Sequence, residues 1–152
     1  MLPPDPNDPD ATTLELDELW SFVCKKTNQA WIWIALCRKT RQVVAYMIGD
    51  RSKATCYKLW RAIPKQYRTG ICYSDFWSAY AAVIPEDQHE AVGKETGETA
   101  HIERWNNTLR QRVARFVRKT LSFSKSQIMH DICLRLFVHR YNLETAVKYS
   151  FE

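Results

Sequence analysis

The sequence predicts an α/β domain built on a mixed five-stranded sheet, three antiparallel strands joined to two parallel ones, with helices on both faces. Two observations predict this class. Three strand-like segments joined by short polar turns begin the domain, and alternating helix and strand segments follow them. The chain has 152 residues, of which 45% are apolar, so it is long enough for one domain with its own core.

The first 13 residues contain four prolines and no hydrophobic periodicity, so we expect a disordered leader or the stub of a linker. The domain is expected to span residues 14–152. The N-terminus has neither a basic start nor an apolar run, and the uncharged stretches are far shorter than the roughly 18 apolar residues of a membrane span. We therefore expect a cytoplasmic protein with no membrane partner.

The first three segments are rich in Trp, Ile, Val and Tyr, a composition typical of strands. They run from Leu14 to Val23, from Ala30 to Cys37 and from Val43 to Gly49, with polar turns at residues 25–28 and 38–41. Connections of this length predict an antiparallel meander.

Helix and strand segments then alternate. Ser52 can cap a helix that Pro64 ends, and a short strand from Gly70 to Ser74 follows. A second short helix is closed by Pro85. A weaker strand from His89 to Val92 completes the sheet.

Two longer helices are predicted in the last third of the chain. Thr99 is available as the N-cap of the first, whose apolar residues repeat with helical spacing as far as Val117. The second is predicted from about Ser126 to Asn142. It is apolar on so wide a face that we expect it to be largely buried.

The five cysteines are an odd number, and none lies close enough to another for a Cys-x-x-Cys zinc site. Free cysteine packs as a small apolar side chain. We therefore expect reduced core residues at all five positions: Cys24, Cys37, Cys56, Cys72 and Cys133.

The basic excess of the chain lies in one segment. Residues 104–130 hold seven of the 22 Lys and Arg residues and no acid, although the whole chain has a formal net charge of only +5. Charge segregated in this way favours a polyanionic partner, but an arginine-rich helix that faces water has the same composition.

Three acids are candidates for chemistry. The fourth strand can pair in parallel beside the first, which brings Asp17 in the first strand close to Asp75 at the end of the fourth. Glu103 falls in the first turn of the amphipathic helix. Asp75 could simply cap the helix after it, and Glu103 could simply be favoured by the positive end of its helix. Asp17 is different, because a carboxylate in an apolar strand is costly to bury without a partner or a cation.

Carboxylates gathered in this way suit Mg²⁺, which takes oxygen ligands and is completed by waters and substrate phosphates. Two such ions about 3.5–4 Å apart can support attack on a phosphodiester. Arg110 lies two turns after Glu103 on nearly the same helix face. His101 and Glu103 match part of a zinc deaminase signature, but the sequence has no Pro-Cys-x-x-Cys partner for it.

Four runs of sequence carry the most distinctive residues. They are Leu16-Asp17-Glu18-Leu19-Trp20, Tyr73-Ser74-Asp75-Phe76-Trp77-Ser78-Ala79-Tyr80, Ile102-Glu103-Arg104-Trp105-Asn106-Asn107-Thr108-Leu109-Arg110-Gln111-Arg112 and Arg118-Lys119-Thr120-Leu121-Ser122-Phe123-Ser124-Lys125-Ser126. Together they resemble the catalytic part of bacterial transposases of the insertion-sequence-one family, from about Leu14 to Tyr141. A set of two Asp and one Glu is weakly specific, whereas the last two runs are highly specific.

The resemblance implies an RNase H-like fold and a DDE-type transposase that carries out metal-dependent 3′-end cleavage and strand transfer. It implies Asp17, Asp75 and Glu103 as the catalytic, metal-binding triad and Arg110 as a catalytic basic residue. Mg²⁺ is the implied cofactor, and Mn²⁺ is expected to substitute for it.

Double-stranded DNA, both element ends and target, is the implied partner. The residues expected to bind it are Arg104, Asn107, Arg110, Arg112, Arg115, Arg118, Lys119 and Lys125. Family members carry a zinc-binding and helix-turn-helix segment ahead of the catalytic domain, so a separate N-terminal DNA-binding segment or protein is a further expected partner. A homo-oligomer, at least a dimer on DNA, and association with the bacterial nucleoid are also expected.

Two other functions fit the same residues. One is a nuclease of the same fold that cleaves DNA without strand transfer. The other is a truncated, non-catalytic transposase fragment that binds DNA.

Overall fold

A mixed five-stranded sheet forms the centre of the computed structural model, which describes residues 3–117 and 119–149. In chain order the strands are Leu14–Leu19 (β1), Phe22–Val23 (β2), Lys25–Gln29 (β3), Trp31–Cys37 (β4), Val43–Gly49 (β5), Cys72–Ser74 (β6) and His89–Ala91 (β7). The main sheet has the order β5-β4-β1-β6-β7, with β4 antiparallel to β1 and β5, and with β1, β6 and β7 parallel. The predicted fold class and the central place of the first strand are confirmed.

Helices cover both faces of this sheet. They are Lys53–Ala62 (α1), Ser78–Val83 (α2), Ala100–Arg112 (α3) and Gln127–Tyr149 (α4). One core includes buried residues of α1 and α2, and the other includes residues of α3 and α4. Ser52 caps α1, as predicted, because its hydroxyl accepts a bond from the Thr55 amide at 3.3 Å. The arrangement is that of an RNase H-like α/β fold.

The pleat of β1 sends alternate side chains to the two cores. Leu16 packs in the core that includes α1 and α2, and Glu18 bonds Tyr80 of α2 on that side. Glu15 and Leu19 lie on the side of α3 and α4, together with Asp17. The strand therefore carries acids to both faces.

The predicted first strand is interrupted. The five-stranded sheet contains it only as far as Leu19, and β2 then pairs with β3 in a separate two-stranded sheet. The polar turn predicted at residues 25–28 is wrong, because these residues belong to the exposed strand β3. The sharp reversal between the two strands places Cys24 in the left-handed region, at φ 64°.

The five cysteines are free thiols. Cys37, Cys56 and Cys72 are buried, and Cys133 is half-buried. Cys24 is exposed, so the prediction that all five are core residues is wrong for Cys24.

The helix predicted to reach Val117 ends at Arg112. Val113 is extended, with φ −125° and ψ 102°, and residues 114–116 form a 3-10 turn. Phe116 is nevertheless buried and Val113 packs on the same core, so both keep the apolar contacts that made them look helical. The apolar residues do face the core, but an extended residue and a 3-10 turn place them there instead of a continuing helix.

The last helix is longer and more exposed than predicted. It extends to Tyr149 rather than to Asn142. Ile128 is 74% exposed and Leu136 is 64% exposed, so the expectation of a largely buried helix is wrong. Only the opposite face, with Leu134 and Val138, enters the core.

Part of the segment before β1 packs on the domain. Ala11 and Thr13 are buried, and the Leu14 amide donates to the carbonyl of Ile71 at 2.9 Å. The division of the chain at residue 14 stays a prediction. Within residues 3–117 and 119–149, each helix is too short or too polar to cross a lipid bilayer.

Candidate active site

A cleft of about 260 Å³ opens where β1 and β6 end. Its lining includes all four residues predicted to be catalytic, namely Asp17, Asp75, Glu103 and Arg110. A larger cavity of about 420 Å³ lies between β5 and the start of α4, and Asp131 is the acid in its lining. The smaller cleft is therefore the candidate active site.

Parallel pairing of the two strands brings the two aspartates together. Glu15 of β1 pairs with Tyr73 of β6, so in the same register Asp17 lies beside Asp75, just beyond the end of β6. Asp75 Oδ1 accepts a bond from the Trp77 amide at 3.0 Å, which orients its carboxylate in the turn before α2. The closeness predicted for the two aspartates follows from this topology.

The helix α3 supplies the other two predicted residues from the opposite wall. Glu103 lies in its first turn, and Arg110 follows two turns later on the same side. Asn106 lies between them, and its Nδ2 donates to Asp17 Oδ2 at 2.8 Å. The helix is thus joined directly to the aspartate of β1.

Glu18 adds a carboxylate that the sequence did not single out. Ligand oxygens of Asp17, Glu18 and Asp75 all lie within 4.8 Å of one another. Glu18 points to the opposite face of β1, but it lies so near the strand end that its carboxylate reaches the cleft. Tyr80 donates to Glu18 Oε2, and Arg51 donates to Oε1 at 2.9 Å.

Two carboxylates of the cleft, Asp17 and Glu18, have raised pKa values. Burial, reinforced by the neighbouring charges of Glu18, Asp75 and Glu103, raises the pKa of Asp17 to about 7. Burial also raises the pKa of Glu18, although the bonds from Tyr80 and Arg51 oppose this. A cation bound among these oxygens would relieve the repulsion.

Asn106 provides an oxygen that fits the same purpose. Its Oδ1 is buried and has no hydrogen-bond partner among the residues that the structure describes. An unpaired buried carbonyl oxygen is costly unless a water or a cation occupies its lone pairs. Asn106 was missed from the sequence, although its position three residues after Glu103 places both on one helix face.

Three cations line the cleft, and two of them were not predicted. Arg110 was predicted, and Lys94 and Arg51 join it. Arg51 is held between two indole rings, 4.0 Å from the Trp77 ring centre and 4.7 Å from that of Trp31, and it is paired with Glu18. Lys94 is exposed on the loop before α3.

The other residues predicted to bind DNA are scattered. Arg104 and Asn107 are exposed on α3, and Lys119 is exposed beyond it. Arg112 pairs with Glu144 at 3.1 Å.

Two further residues of this predicted set make internal contacts, and one lies outside the described residues. Arg115 donates to Ser124 Oγ at 3.3 Å, and the ammonium of Lys125 lies 3.8 Å from the ring centre of Phe123. Arg118 is the residue that the structure leaves undescribed. Among the described members of the set, Arg110 lines the cleft.

The distinctive run that ends at Ser126 is anchored beside the end of β2. The Cys24 amide donates to the Ser124 carbonyl at 2.8 Å, and Val23 forms a bridge with Ser124. The buried His130 joins Ser124 Oγ, at 2.6 Å, to Ser21 Oγ, at 2.8 Å. These contacts give Ser124 a structural role.

Comparison with known proteins identifies the family of the chain. The family model described as IS1 transposase matches residues 11–143. The protein InsB of the insertion element iso-IS1n from Shigella dysenteriae is 40% identical over 131 residues, which cover 86% of this chain and 97% of that protein. The InsB protein of insertion element IS1 4 from Escherichia coli K12 is 38% identical over 117 residues, covering 77% of this chain and 68% of that protein.

A third relative, the insertion element IS1 protein InsB of Shigella flexneri, is also 38% identical over 117 residues, which cover 77% of this chain and 86% of that protein. The matched range contains both strands that carry the aspartates and the whole of α3. The chain belongs to the IS1 transposase family.

Proposed function

We propose that this domain catalyses DDE-type DNA transposition, cleaving the 3′ ends of an insertion sequence and joining them to target DNA. The observation that carries the proposal is the convergence of Asp17, Asp75 and Glu103, from three separate elements, on one cleft with Arg110. An isolated acidic cluster could be structural, but this one lies in a transposase fold beside a cation.

The donor set of the cleft fits a hard divalent ion. It consists of the clustered carboxylate oxygens of Asp17, Glu18 and Asp75, the carboxylate of Glu103 in the cleft lining, and the buried Asn106 Oδ1, which has no protein partner among the described residues. Oxygen donors of this kind suit Mg²⁺, with Mn²⁺ as a substitute, and would not favour a soft metal. Asp17, Asp75 and Glu103 would hold the ion, which supplies charge neutralisation at the phosphate and lowers the pKa of an attacking hydroxyl.

The chain's own residues orient these ligands and receive the substrate. Asn106 fixes one oxygen of Asp17, and the Glu18 amide donates to the other at 2.9 Å. Arg110 and Lys94 place positive charge at the cleft, where a DNA phosphate would lie next to the carboxylates. Asp17 must be deprotonated to act as a ligand, so its raised pKa sets a lower pH limit for binding.

Two displacement reactions at phosphorus make up the proposed activity. Water attacks the phosphodiester at the element end, which leaves a 3′-hydroxyl on the element and a 5′-phosphate on the flanking DNA. The 3′-hydroxyl then attacks a target phosphodiester, forming a new bond to the target 5′-phosphate and releasing a target 3′-hydroxyl. Both reactions need the same carboxylate site.

The proposed partner is duplex DNA, both element ends and target. Arg104, Asn107 and Lys119 are exposed and available for phosphate contacts. Joining two ends requires at least a dimer on DNA, and recognition of the ends is assigned to an N-terminal DNA-binding segment or protein. The proposal places the protein in the bacterial cytoplasm, on the nucleoid when it is bound to DNA.

The test replaces each acid by its amide in a cleavage assay with labelled element ends, supplied with the N-terminal DNA-binding segment. Asp17→Asn, Asp75→Asn and Glu103→Gln should each abolish Mg²⁺- and Mn²⁺-dependent cleavage while the fold remains intact by circular dichroism. Asp87→Asn, at an exposed position away from the cleft, is the matched control and should cleave like the wild type.

Strand transfer is scored in the same reactions from products joined to a target plasmid. Cleavage without joined products would favour a nuclease, and binding without cleavage would favour a non-catalytic fragment. Near wild-type cleavage by any one amide variant would remove that residue from the triad.

A further inference from the structure

Glu15 is a fully buried carboxylate with no assigned role, two residues before Asp17 on the same face of β1. Its side chain points away from the core of α1 and α2 and meets the start of α3. A buried carboxylate needs strong partners, and Glu15 finds them in residues far along the chain.

The partners of Glu15 are the first amides of α3. Its Oε1 accepts bonds from the His101 amide at 3.0 Å and the Ile102 amide at 3.3 Å. Its Oε2 lies 2.7 Å from His101 Nδ1 and accepts a bond from Arg38 Nε at 3.3 Å. The carboxylate therefore occupies the place of an N-cap, although it belongs to a strand 86 residues earlier.

The helix lacks a cap of its own. Thr99 is its N-cap residue, but the Thr99 side chain makes no capping bond. The first amides of a helix have no partner within the helix, and a negative charge at this end is favourable. Glu15 supplies both the acceptor and the charge, so the start of α3 is fixed by β1.

Arg38 extends this attachment to the loop before the helix. It pairs with Glu98 Oε2 at 2.9 Å and also donates to the Glu98 carbonyl. Its guanidinium lies 4.3 Å from the ring centre of Tyr73, in the strand that leads to Asp75. The same network thus touches the elements that carry all three acids.

The helix is joined to β1 at two points, and Glu103 lies between them. Glu15 holds the amides of residues 101 and 102, and Asp17 is bonded to Asn106 one turn later. We propose that Glu15 is a positioning residue, which fixes the rotation and depth of α3 so that Glu103 faces Asp17 and Asp75. This inference rests on the proposed metal-dependent function.

The role is tested with Glu15→Ala and Glu15→Gln in the full chain. In metal-free protein, amide hydrogen exchange followed by NMR should be about tenfold faster at His101 and Ile102 in Glu15→Ala, because a bond to a charged group is lost. Glu15→Gln keeps one acceptor oxygen and should show a smaller increase. If Glu15→Ala does not fold, the exchange rates of Glu15→Gln decide the test.

Binding of Mn²⁺, followed by electron paramagnetic resonance without DNA, gives the decisive measurement. Loss of a charged hydrogen bond should displace one ligand of the ion. The half-saturating Mn²⁺ concentration should therefore rise about tenfold in Glu15→Ala and less in Glu15→Gln. Glu98→Gln is the matched control, since Glu98 shares Arg38 but its carboxylate does not bond the helix amides. It should bind Mn²⁺ like the wild type.

A role confined to stability would lower the unfolding midpoint and leave the half-saturating Mn²⁺ concentration unchanged. That result, in a folded Glu15 variant of a wild type that binds Mn²⁺ through Asp17, would overturn the positioning role alone. A wild type that does not bind Mn²⁺ would overturn the metal site, and with it the role of Glu15.

Discussion

Asp17→Asn should stabilise the metal-free domain at neutral pH while it destroys the metal site. In the folded chain, burial and three neighbouring carboxylates raise the pKa of Asp17 from 3.8 to about 7. Folding therefore opposes the ionised form of Asp17. An amide at this position has no charge to bury, so the variant escapes this cost.

The pH range of the effect follows from the two pKa values. Below about pH 4, Asp17 is protonated both in the folded and in the unfolded chain, and it costs nothing. Between about pH 4 and pH 7 Asp17 binds more protons in the folded chain than in the unfolded one, so its contribution to wild-type stability falls as pH rises. Above about pH 7 the cost is constant.

The size of the effect can be bounded. A rise in the pKa of Asp17 from 3.8 to about 7 corresponds to roughly 4 kcal/mol. The side chain is only partly buried, and the Asp17→Asn variant would lose one of the two hydrogen bonds that the carboxylate accepts, from the Glu18 amide or from Asn106, each worth about 1 kcal/mol. We expect a net gain of about 2 kcal/mol, or about 4–8 °C in Tm for a domain of this size.

The assay is thermal and urea unfolding in a chelator, at pH 8 and at pH 4. Asp17→Asn should be more stable than the wild type at pH 8 but not at pH 4, and the exposed control Asp87→Asn should show neither change. Added Mg²⁺ should raise the Tm of the wild type and leave that of Asp17→Asn unchanged. An Asp17→Asn variant no more stable than the wild type at pH 8 would refute the electrostatic argument.

Three further predictions address other parts of the molecule. DNA affinity should fall with salt at a log–log slope of roughly −3 if about three phosphates are neutralised, and Arg110→Ala should lower strand transfer more than affinity; a flat salt dependence in filter binding would contradict phosphate contacts. Cys24 should react rapidly with a thiol reagent in the native protein, whereas Cys56 and Cys72, whose pKa values burial raises to about 12, should react only after unfolding; mass spectrometry of the labelled peptides checks this order. Burial, with a contribution from the nearby arginine charge, lowers the pKa of His130 to about 4, so this histidine should add to the unfolding free energy as pH rises from about 4 to 6.5, opposite in sign to the contribution of Asp17; in urea titrations the difference between the wild type and His130→Ala should rise over this range and stay level above it, and a flat difference would show that the histidine is not responsible.

The sheet could be predicted because its signals are local. Short polar turns and runs of β-branched and aromatic residues mark β4 and β5, and the crossover after α1 forces the next strand beside β1. This topology is sufficient to place Asp17 next to Asp75. The exposed strand β3 has no apolar residue, and Thr27 is its one strand-favouring residue, so its composition indicates a turn.

The predicted end of α3 is wrong because apolar contacts with the core continue beyond the last helical residue. Val113 and Phe116 pack at spacings that a continuing helix would also give, but the backbone is already extended at Val113. On α4, apolar residues occupy both faces, and the pattern cannot distinguish the face with Leu134 from the exposed face with Leu136. Sequence periodicity shows that a face is apolar, not what covers it.

Three of the four acids that line the candidate site could be predicted from the sequence, whereas Glu18 and the residues that hold the acids in place could not. Asp17, Asp75 and Glu103 are conspicuous by type and by position. Glu15 and Asn106 act through partners 86 and 89 residues away, and no local spacing relates them.

The central position of β1 explains how the fold tolerates a cluster of repelling carboxylates that lowers its stability. This strand is paired along its whole length with β4 and, at its start, with β6, so its backbone is fixed from both sides. Side chains alternate along a strand, and a slip of one residue would therefore exchange the faces of Glu15, Asp17 and Glu18. The same rigidity that prevents such a slip keeps the repelling carboxylates together. A flexible strand would separate these charges to lower their energy, and the site would then form only when a cation was already bound.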